Sequence, residues 1–271
     1  VTDTQPVSMS RVSAACDAFH VLEDVDVTDL DSGLEALARV IEEEGVDLVV
    51  PMCSINSALF YAAARDKLSS RLPGVRWLCA GLADTNELDN KLQFAALCEQ
   101  AGVPTPESGE VSSEGGIKGV PTDRFEVVLK RVASSMNREE EVLFLKRGQA
   151  PPEHVRPTAD DPWQWQCRVV GEEFSAWYIA VDGEVTCAAQ YASAPDLMHF
   201  EGMPVPSDVD TCLRRLIRER GLSGQLAFDY MRESKTGKFF VFECNPRGSS
   251  VLEVISGTPG WGQAFFGVDE Q

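Results

Sequence analysis

Gln225-Leu-Ala-Phe-Asp229-Tyr-Met-Arg232 and, a few residues on, Lys238-Phe-Phe-Val-Phe-Glu243-Cys-Asn245-Pro246-Arg247 decide how this chain is read. Aromatic and β-branched residues dominate both runs, which therefore read as strands, and Ser234-Lys-Thr-Gly237 supplies the turn between them. A three-residue loop at Lys235-Thr236-Gly237, with Gly237 at positive φ, places Asp229 directly opposite Glu243. The strand period then puts Asn245 on the face that carries both acids. Like charges facing each other destabilise a sheet unless something positive lies between them. Oxygen ligands without Cys or His suit Mg²⁺, or Mn²⁺ in its place, held by one or two carboxylates and by phosphate oxygens. Acidic pairs are also common on exposed strands, so the spacing alone leaves a solvated hairpin open. Two polar groups and an arginine at the end of an otherwise apolar strand favour a ligand site, because sheets tend to present ligand groups there.

Working outward, three upstream segments join the hairpin. Asn90-Lys91-Leu-Gln-Phe94-Ala-Ala-Leu97-Cys98-Glu-Gln-Ala101-Gly102-Val-Pro104 carries an apolar helix face at Phe94, Leu97, Cys98 and Ala101, with Lys91 three residues ahead of it. Lys91 either snorkels along that face or contacts a phosphate. Phe125-Glu-Val127-Val-Leu129-Lys130 is an apolar strand ending in a lysine that is an edge residue or needs an anionic partner. The third segment is Trp165-Gln166-Cys167-Arg-Val169-Val-Gly171-Glu172-Glu173-Phe-Ser175, in which Glu172 and Glu173 face opposite ways if the run is extended.

These four segments, in this order, resemble the ATP-grasp superfamily. Its domain opens on an Asp-Lys helix, continues with a strand bearing a phosphate-binding lysine, crosses a hinge to a Gly-x-Glu-Phe-Ser segment, and ends on a strand aspartate followed by Glu-x-Asn-Pro-Arg. The resemblance spans roughly residues 86 to 250. It implies an α/β (α+β) chain in which an ATP-grasp fold at 86–271, with subdomains at about 86–160 and 161–271, follows a partial Rossmann-like domain at 1–85. It also implies site roles. Asp229, Glu243 and Asn245 hold the metal. Lys91 and Lys130 bind phosphate, and Ser134 and Ser135, in a flap without glycine, offer backbone N–H groups to it with Arg131 and Arg138 adding charge. Gln166 and the backbone through Val169 cradle adenine, Glu173 accepts from ribose, and Arg247 and Lys130 act on the transferring group. The activity implied is ATP-dependent ligation of a small-molecule acid to an amine, such as an amino acid, through an acyl phosphate. Among such ligases the chain most resembles those that conjugate amino acids, mycosporine-glycine-synthase-like proteins included. A weakly catalytic ATP-binding module and a kinase-like phosphotransferase are the other readings.

The remaining sequence fits an enzyme of this kind. Its 271 residues allow one large or two modest domains. With 43 acidic against 24 basic residues the formal charge is −19, which disfavours nonspecific binding to nucleic acid or anionic membranes. Eight scattered cysteines without a Cys-x-x-Cys pair read as free thiols, and with no apolar run long enough to span a bilayer the expected location is the cytoplasm. Residues 1–85 alternate strand and helix. Strand candidates are Phe19–Leu22, Asp47–Pro51 and Val75–Cys79, and helices a Ser32-Gly-Leu-Glu35 capping box ahead of Leu34, Leu37, Ala38 and Ile41, and Ile55–Leu68. Such alternation implies a parallel sheet. The opening Val-Thr-Asp-Thr-Gln-Pro offers no apolar strand, so this domain is expected to lack a first βα unit. Residues 107–124 and 149–162 read as connecting stretches. Trp163, Trp165 and Trp177 read as core or cleft-wall aromatics, and His199 as a core-edge histidine.

Overall fold

The computed structural model describes residues 1–3, 7–14, 16–22, 30–52, 55–132, 141–193, 202–248 and 263. Near the N-terminus, β1 (Thr2–Asp3) pairs in parallel with β2 (His20–Val21), and β3 (Leu48–Val49) in parallel with β4 (Arg76–Trp77). β1 forms without apolar residues because its bonds are main-chain ones, from His20 N–H to the Val1 carbonyl and from Leu22 N–H to the Asp3 carbonyl, both 2.9 Å. α1 (Leu30–Glu44) buries Leu34, Leu37, Ala38 and Ile41 beside Phe60, Ala64 and Leu68, the last three from α2 (Ile55–Leu68). Since α1 already runs from Leu30, Ser32 lies inside its first turn and does not cap it. A cavity of about 1040 Å³ is lined by Thr2 and Asp3 of one strand pair, Leu48 and Val49 of the other, and Leu37 and Ile41 of α1.

The rest of the chain is built on two four-stranded antiparallel sheets. The first has the order β10-β9-β11-β12, with β9 (Gly171–Val181), β10 (Glu184–Ala192), β11 (Gly224–Glu233) and β12 (Phe239–Asn245). Along β9 and β11, Ala176, Tyr178, Ala180, Leu226, Phe228 and Tyr230 turn to one face. There they meet α3 (Leu82–Asp89), α4 (Lys91–Gln100) and α5 (Ser207–Glu219) through Leu88, Phe94, Leu97, Leu213 and Ile217. The alternate residues Trp177, Ile179 and Ala227 pack on Leu78 with Leu48 and Val50, so the N-terminal elements cover part of the other face. Each large apolar side chain so buried contributes about 1.5–3 kcal/mol. At the end of that second face lie Ser175, Asp229, Glu243 and Asn245.

The second sheet has the order β5-β8-β6-β7, with β5 (Ser108–Val111), β6 (Val127–Arg131), β7 (Val142–Leu145) and β8 (Trp163–Cys167). The stretch 107–124 is thus more than a connection, since β5 pairs with the hinge strand β8. Val127, Leu129 and Trp163 point into an apolar core with Val111, Leu145 and Val155. Their neighbours point the other way. Because Lys130 lies opposite Gln164 and Val128 opposite Gln166, these four share one face, together with Val142 and Phe144 of β7.

The β11–β12 hairpin reaches the expected register by an unexpected route. Glu233 N–H donates to the Lys238 carbonyl at 2.8 Å, which leaves a four-residue loop, Ser234–Gly237, with Gly237 at φ +70. That pairing runs through Tyr230 opposite Val241, then slips by one residue so that Asp229 faces Glu243. Phe242 is the extra residue, a β-bulge on β12. A bulge breaks the alternation of faces, and Phe242 and Glu243 consequently serve the same site.

Gly171, where β9 begins after the hinge, has no room for a side chain: a Cβ there would lie 1.9 Å from the Arg232 carbonyl oxygen. Backbone must yield, so Gly171→Ala is expected to cost about 1–3 kcal/mol of unfolding free energy in urea titration. Wild-type stability for this variant would show that β9 and β11 do not pack this closely.

Candidate functional site

Asp229 and Glu243 face each other on adjacent strands, and two lysines from different parts of the fold close on Glu243. Lys91 opens α4, whose N-cap is Asn90; its side-chain oxygen accepts from the N–H groups of Leu92 and Gln93, both at 3.1 Å. Asn at this position therefore caps the helix fully. α4 packs along β12, which carries Lys91 Nζ to 3.6 Å from Glu243 Oε1. Lys130, on β6 between two neighbouring strands, reaches to 3.7 Å from Glu243 Oε2, with its Nζ 5.1 Å from the Phe242 ring centroid. The two lysine side chains are 1% and 5% exposed and that of Glu243 20%. Neither lysine is a snorkelling or edge residue. Each is a buried cation with the Glu243 carboxylate beside it.

Asp229 pairs with Ser175 of β9 on its other side. Burial and the nearby negative charge of Glu243 push its carboxyl up to about 7, while a hydrogen bond with Ser175 and the charge of Arg247 pull the other way. Asn245 donates from Nδ2 to Asp229 Oδ2 at 2.9 Å, and its Oδ1 accepts from Arg247 Nη1 at 2.7 Å. Arg247 is therefore aimed at the site through Asn245, and the amide oxygen expected to face a metal is engaged with Arg247. The Glu173 carboxyl, one strand away on β9, has its tip partly shielded at the cleft although the residue as a whole is solvent-accessible; that partial burial and the charge of Glu243 push it up, while a hydrogen bond with Ser193 and the charge of Lys130 pull it down. It belongs to the same charged cluster. Glu172 is exposed.

The donor set fits a hard divalent cation with phosphate. No group of three or more His, Cys, Asp or Glu side chains able to hold a metal occurs among the described residues, so among them the Asp229–Glu243 pair and the Asn245 amide are the donors available. Mg²⁺ is commonly held by one or two carboxylates, with phosphate oxygens and waters completing its shell. A raised carboxyl facing a second one is the electrostatic condition that a cation relieves.

The polar face of the second sheet supplies the other wall. Gln164 is fully buried and donates from Nε2 to the Lys91 carbonyl at 3.2 Å, leaving its Oε1 without a partner among the described residues. Gln166 Nε2 is likewise buried and unpartnered there. An unsatisfied buried polar atom costs about 1–3 kcal/mol, and two on the face that holds Lys130 point to a polar ligand. At the hinge, Cys167 N–H already donates to the Glu107 carbonyl and Arg168 N–H to that of Glu126, at 2.8 and 3.0 Å. The expected cradle running from Gln166 thus loses those two donors and narrows to the Gln166 side chain and the half-buried Val169. Beside it, exposed Val142 and Phe144 form an apolar shelf, with the Arg168 guanidinium 5.6 Å from the Phe144 ring centroid.

One expectation moves. Arg131 lies on the far face of β6, over Trp163 at 4.8 Å and paired with Asp161, so it does not serve phosphate. Ser134, Ser135 and Arg138, like His199 and Cys53, fall outside the described residues. Trp163 and Trp177 are buried in cores, and the described cysteines, from Cys16 to Cys244, are free. Gln164, Phe242 and Phe144 are not singled out by sequence, and Ser175, the last residue of the Gly-x-Glu-Phe-Ser segment, is given no role there. Gln164 could have been, standing two residues before Gln166 on one strand. Phe242 could not, because only the bulge brings it to the site.

No family model matches this chain, and no curated protein matches it. Solved structures do. The chain is similar to N5-carboxyaminoimidazole ribonucleotide synthetase in its ADP complex, with a TM-score of 0.68 and 16% identity over 92% of this chain and 63% of that one. It is similar to the biotin carboxylase domain of Hydrogenobacter thermophilus 2-oxoglutarate carboxylase, in complex with MgADP and bicarbonate, at 0.62 and 14% over 94% and 58%. Similarity to L-amino acid ligase from Bacillus licheniformis is 0.60 and 15% over 83% and 55%. The fold is therefore the ATP-grasp fold that these structures share. The chain spans 55–63% of the length of these three structures.

Proposed function

We propose that this chain carries the nucleotide-binding and catalytic unit of an ATP-dependent ligase that joins a small carboxylic acid to an amine, with residues 86–271 as that unit and 1–85 completing the acid pocket. The observation that supports this most is the meeting of Lys91 and Lys130, two buried cations, at a pair of facing carboxylates within an ATP-grasp fold. Phosphoryl transfer requires positioning and charge neutralisation more than covalent chemistry by the protein. In this reading Lys91 and Lys130 neutralise phosphate oxygens, Gln166 and Val169 hold the base against the Val142–Phe144 shelf, and Glu173 accepts from ribose. Asp229 and Glu243, with Asn245 once its amide turns, would hold Mg²⁺, which when bound neutralises phosphate charge. A carboxylate oxygen of the acid attacks the γ-phosphorus, forming one O–P bond as the bond to the ADP oxygen breaks. The amine then attacks the acyl carbon and phosphate leaves. Arg247, positioned by Asn245, stabilises the charge that develops on the transferring group.

The test is a panel of carboxylic acids, each with and without amino acids, with ADP and phosphate followed together. Release of both that depends on an acid and an amine is expected. ADP release with an acid alone, yielding a stable phosphorylated product, would make the chain a phosphotransferase, and nucleotide binding without any ADP release would make it a binding module.

A further inference from the structure

The contact that neutralises Lys91 and Lys130 is made by a residue assigned to the metal. Their two ammonium groups lie 3.6 and 3.7 Å from opposite oxygens of one carboxylate, that of Glu243. One carboxylate spread between two cations is the arrangement a phosphate group would otherwise provide. All three groups are largely withdrawn from water, so neither the cations nor the anion could be left alone without a substantial penalty. The bulge at Phe242 makes the contact possible: it turns Glu243 onto the cleft face and lays the Phe242 ring beneath Lys130. Asp229, directly opposite, is not paired in this way. Its partners are Asn245 and Ser175.

We propose that Glu243 is a built-in stand-in for phosphate, a counter-anion that holds the two lysines and must be drawn off them before a nucleotide can be bound. This rests on the nucleotide reading above. Glu243 releases the lysines readily only when a divalent cation takes its charge, and the lysines accept phosphate only when Glu243 has left. Metal and nucleotide are consequently bound together, and a metal-free nucleotide has to compete with Glu243 for both lysines. The two facing carboxylates, alike as metal ligands, differ in this respect.

The test compares wild type, Glu243→Gln and Asp229→Asn by calorimetric titration with ADP in EDTA and with ADP in Mg²⁺. Glu243→Gln is expected to bind metal-free ADP about tenfold or more tightly than wild type, the scale of one charge-assisted contact, while binding MgADP more weakly. With the titrations run at pH 8.5, where the Asp229 carboxyl is ionised, Asp229→Asn removes an equal charge from the same face and is expected to change metal-free binding far less. No gain in Glu243→Gln, or an equal gain in both variants, would overturn the proposal, the second outcome reducing it to a general charge effect. A second measurement needs no nucleotide. In EDTA, Glu243→Gln is expected to melt below wild type, and inorganic tripolyphosphate to raise its Tm more than that of wild type. Equal shifts would again overturn the proposal. A wild-type protein that ignores MgADP would sink the nucleotide reading, yet the tripolyphosphate comparison would still decide whether Glu243 stands in for an anion.

Discussion

Replacing Asp229 by asparagine is expected to stabilise the metal-free protein above pH 7 while removing most of its stabilisation by Mg²⁺ with ADP. The carboxyl is raised from an ordinary 3.8 to about 7 by burial and by Glu243. Between about pH 4 and pH 7 the folded protein therefore binds a proton that the unfolded chain has lost, and stability falls as pH rises through that window. Well above pH 7 the loss is complete, and at one pKa unit per 1.36 kcal/mol it is on the order of 4 kcal/mol. Asparagine resembles the protonated acid and does not titrate, so Asp229→Asn should show no such fall: near wild type below pH 4, more stable above pH 7. Filling the metal site should displace the same proton. Near pH 6, wild-type MgADP binding is expected to release up to one proton, visible as a heat that varies with the buffer's ionisation enthalpy, and the variant is expected to release none from this group. A wild-type shift of about 2.7 kcal/mol is expected at a hundredfold excess of ligand over its dissociation constant, and the variant should lose most of it. Urea titrations from pH 4 to 8 in EDTA, repeated with MgADP, measure both. An unchanged pH slope together with a full ligand shift would remove Asp229 from the site.

The facing of Asp229 and Glu243, on which that expectation depends, was legible in the sequence through two departures that offset each other. A three-residue loop gives the correct register at Asp229, but the chain uses four residues and then inserts Phe242. Loop chemistry is local and readable; a bulge answers to what the neighbouring strand and the cleft require. The same limit explains Glu243. From sequence it is one of two repelling acids, so either amide variant should relieve the apo protein. In three dimensions Lys91 and Lys130 arrive from elements over a hundred residues away, and Glu243 becomes their counter-ion. The hinge is narrower than the sequence suggests for a similar reason, because backbone donors of Cys167 and Arg168 that look available in a strand run are taken by carbonyls of segments near β5 and β6. Parts of the fold went unread though the pattern was present: Val209, Leu213, Leu216 and Ile217 of α5 have plain helical spacing. β7 is a true loss, since its exposed Val142 and Phe144 alternate against the direction a buried strand would show.

The sharing of Glu243 by two lysines also sets what their removal does. Lys91→Met or Lys130→Met alone leaves Glu243 with one cation, and methionine fills most of the space vacated by the lysine stem, so metal-free stability should change by less than about 1 kcal/mol. Each variant should nonetheless weaken MgADP binding by about 1.5–3 kcal/mol, since a charged phosphate partner is lost. The double variant is different in kind. It leaves Glu243, four-fifths withdrawn from water, facing Asp229 with no cation against it. At pH 8 the loss of stability should exceed the sum of the single losses by on the order of 2 kcal/mol. At pH 5 the excess should shrink, because the stranded pair can take up a proton and shed the repulsion. A double-mutant cycle by urea unfolding in EDTA at both pH values measures the coupling. Strict additivity at pH 8 would mean that the two lysines do not act on a common anion, and the convergence of two buried cations on Glu243 would then contribute nothing to the fold.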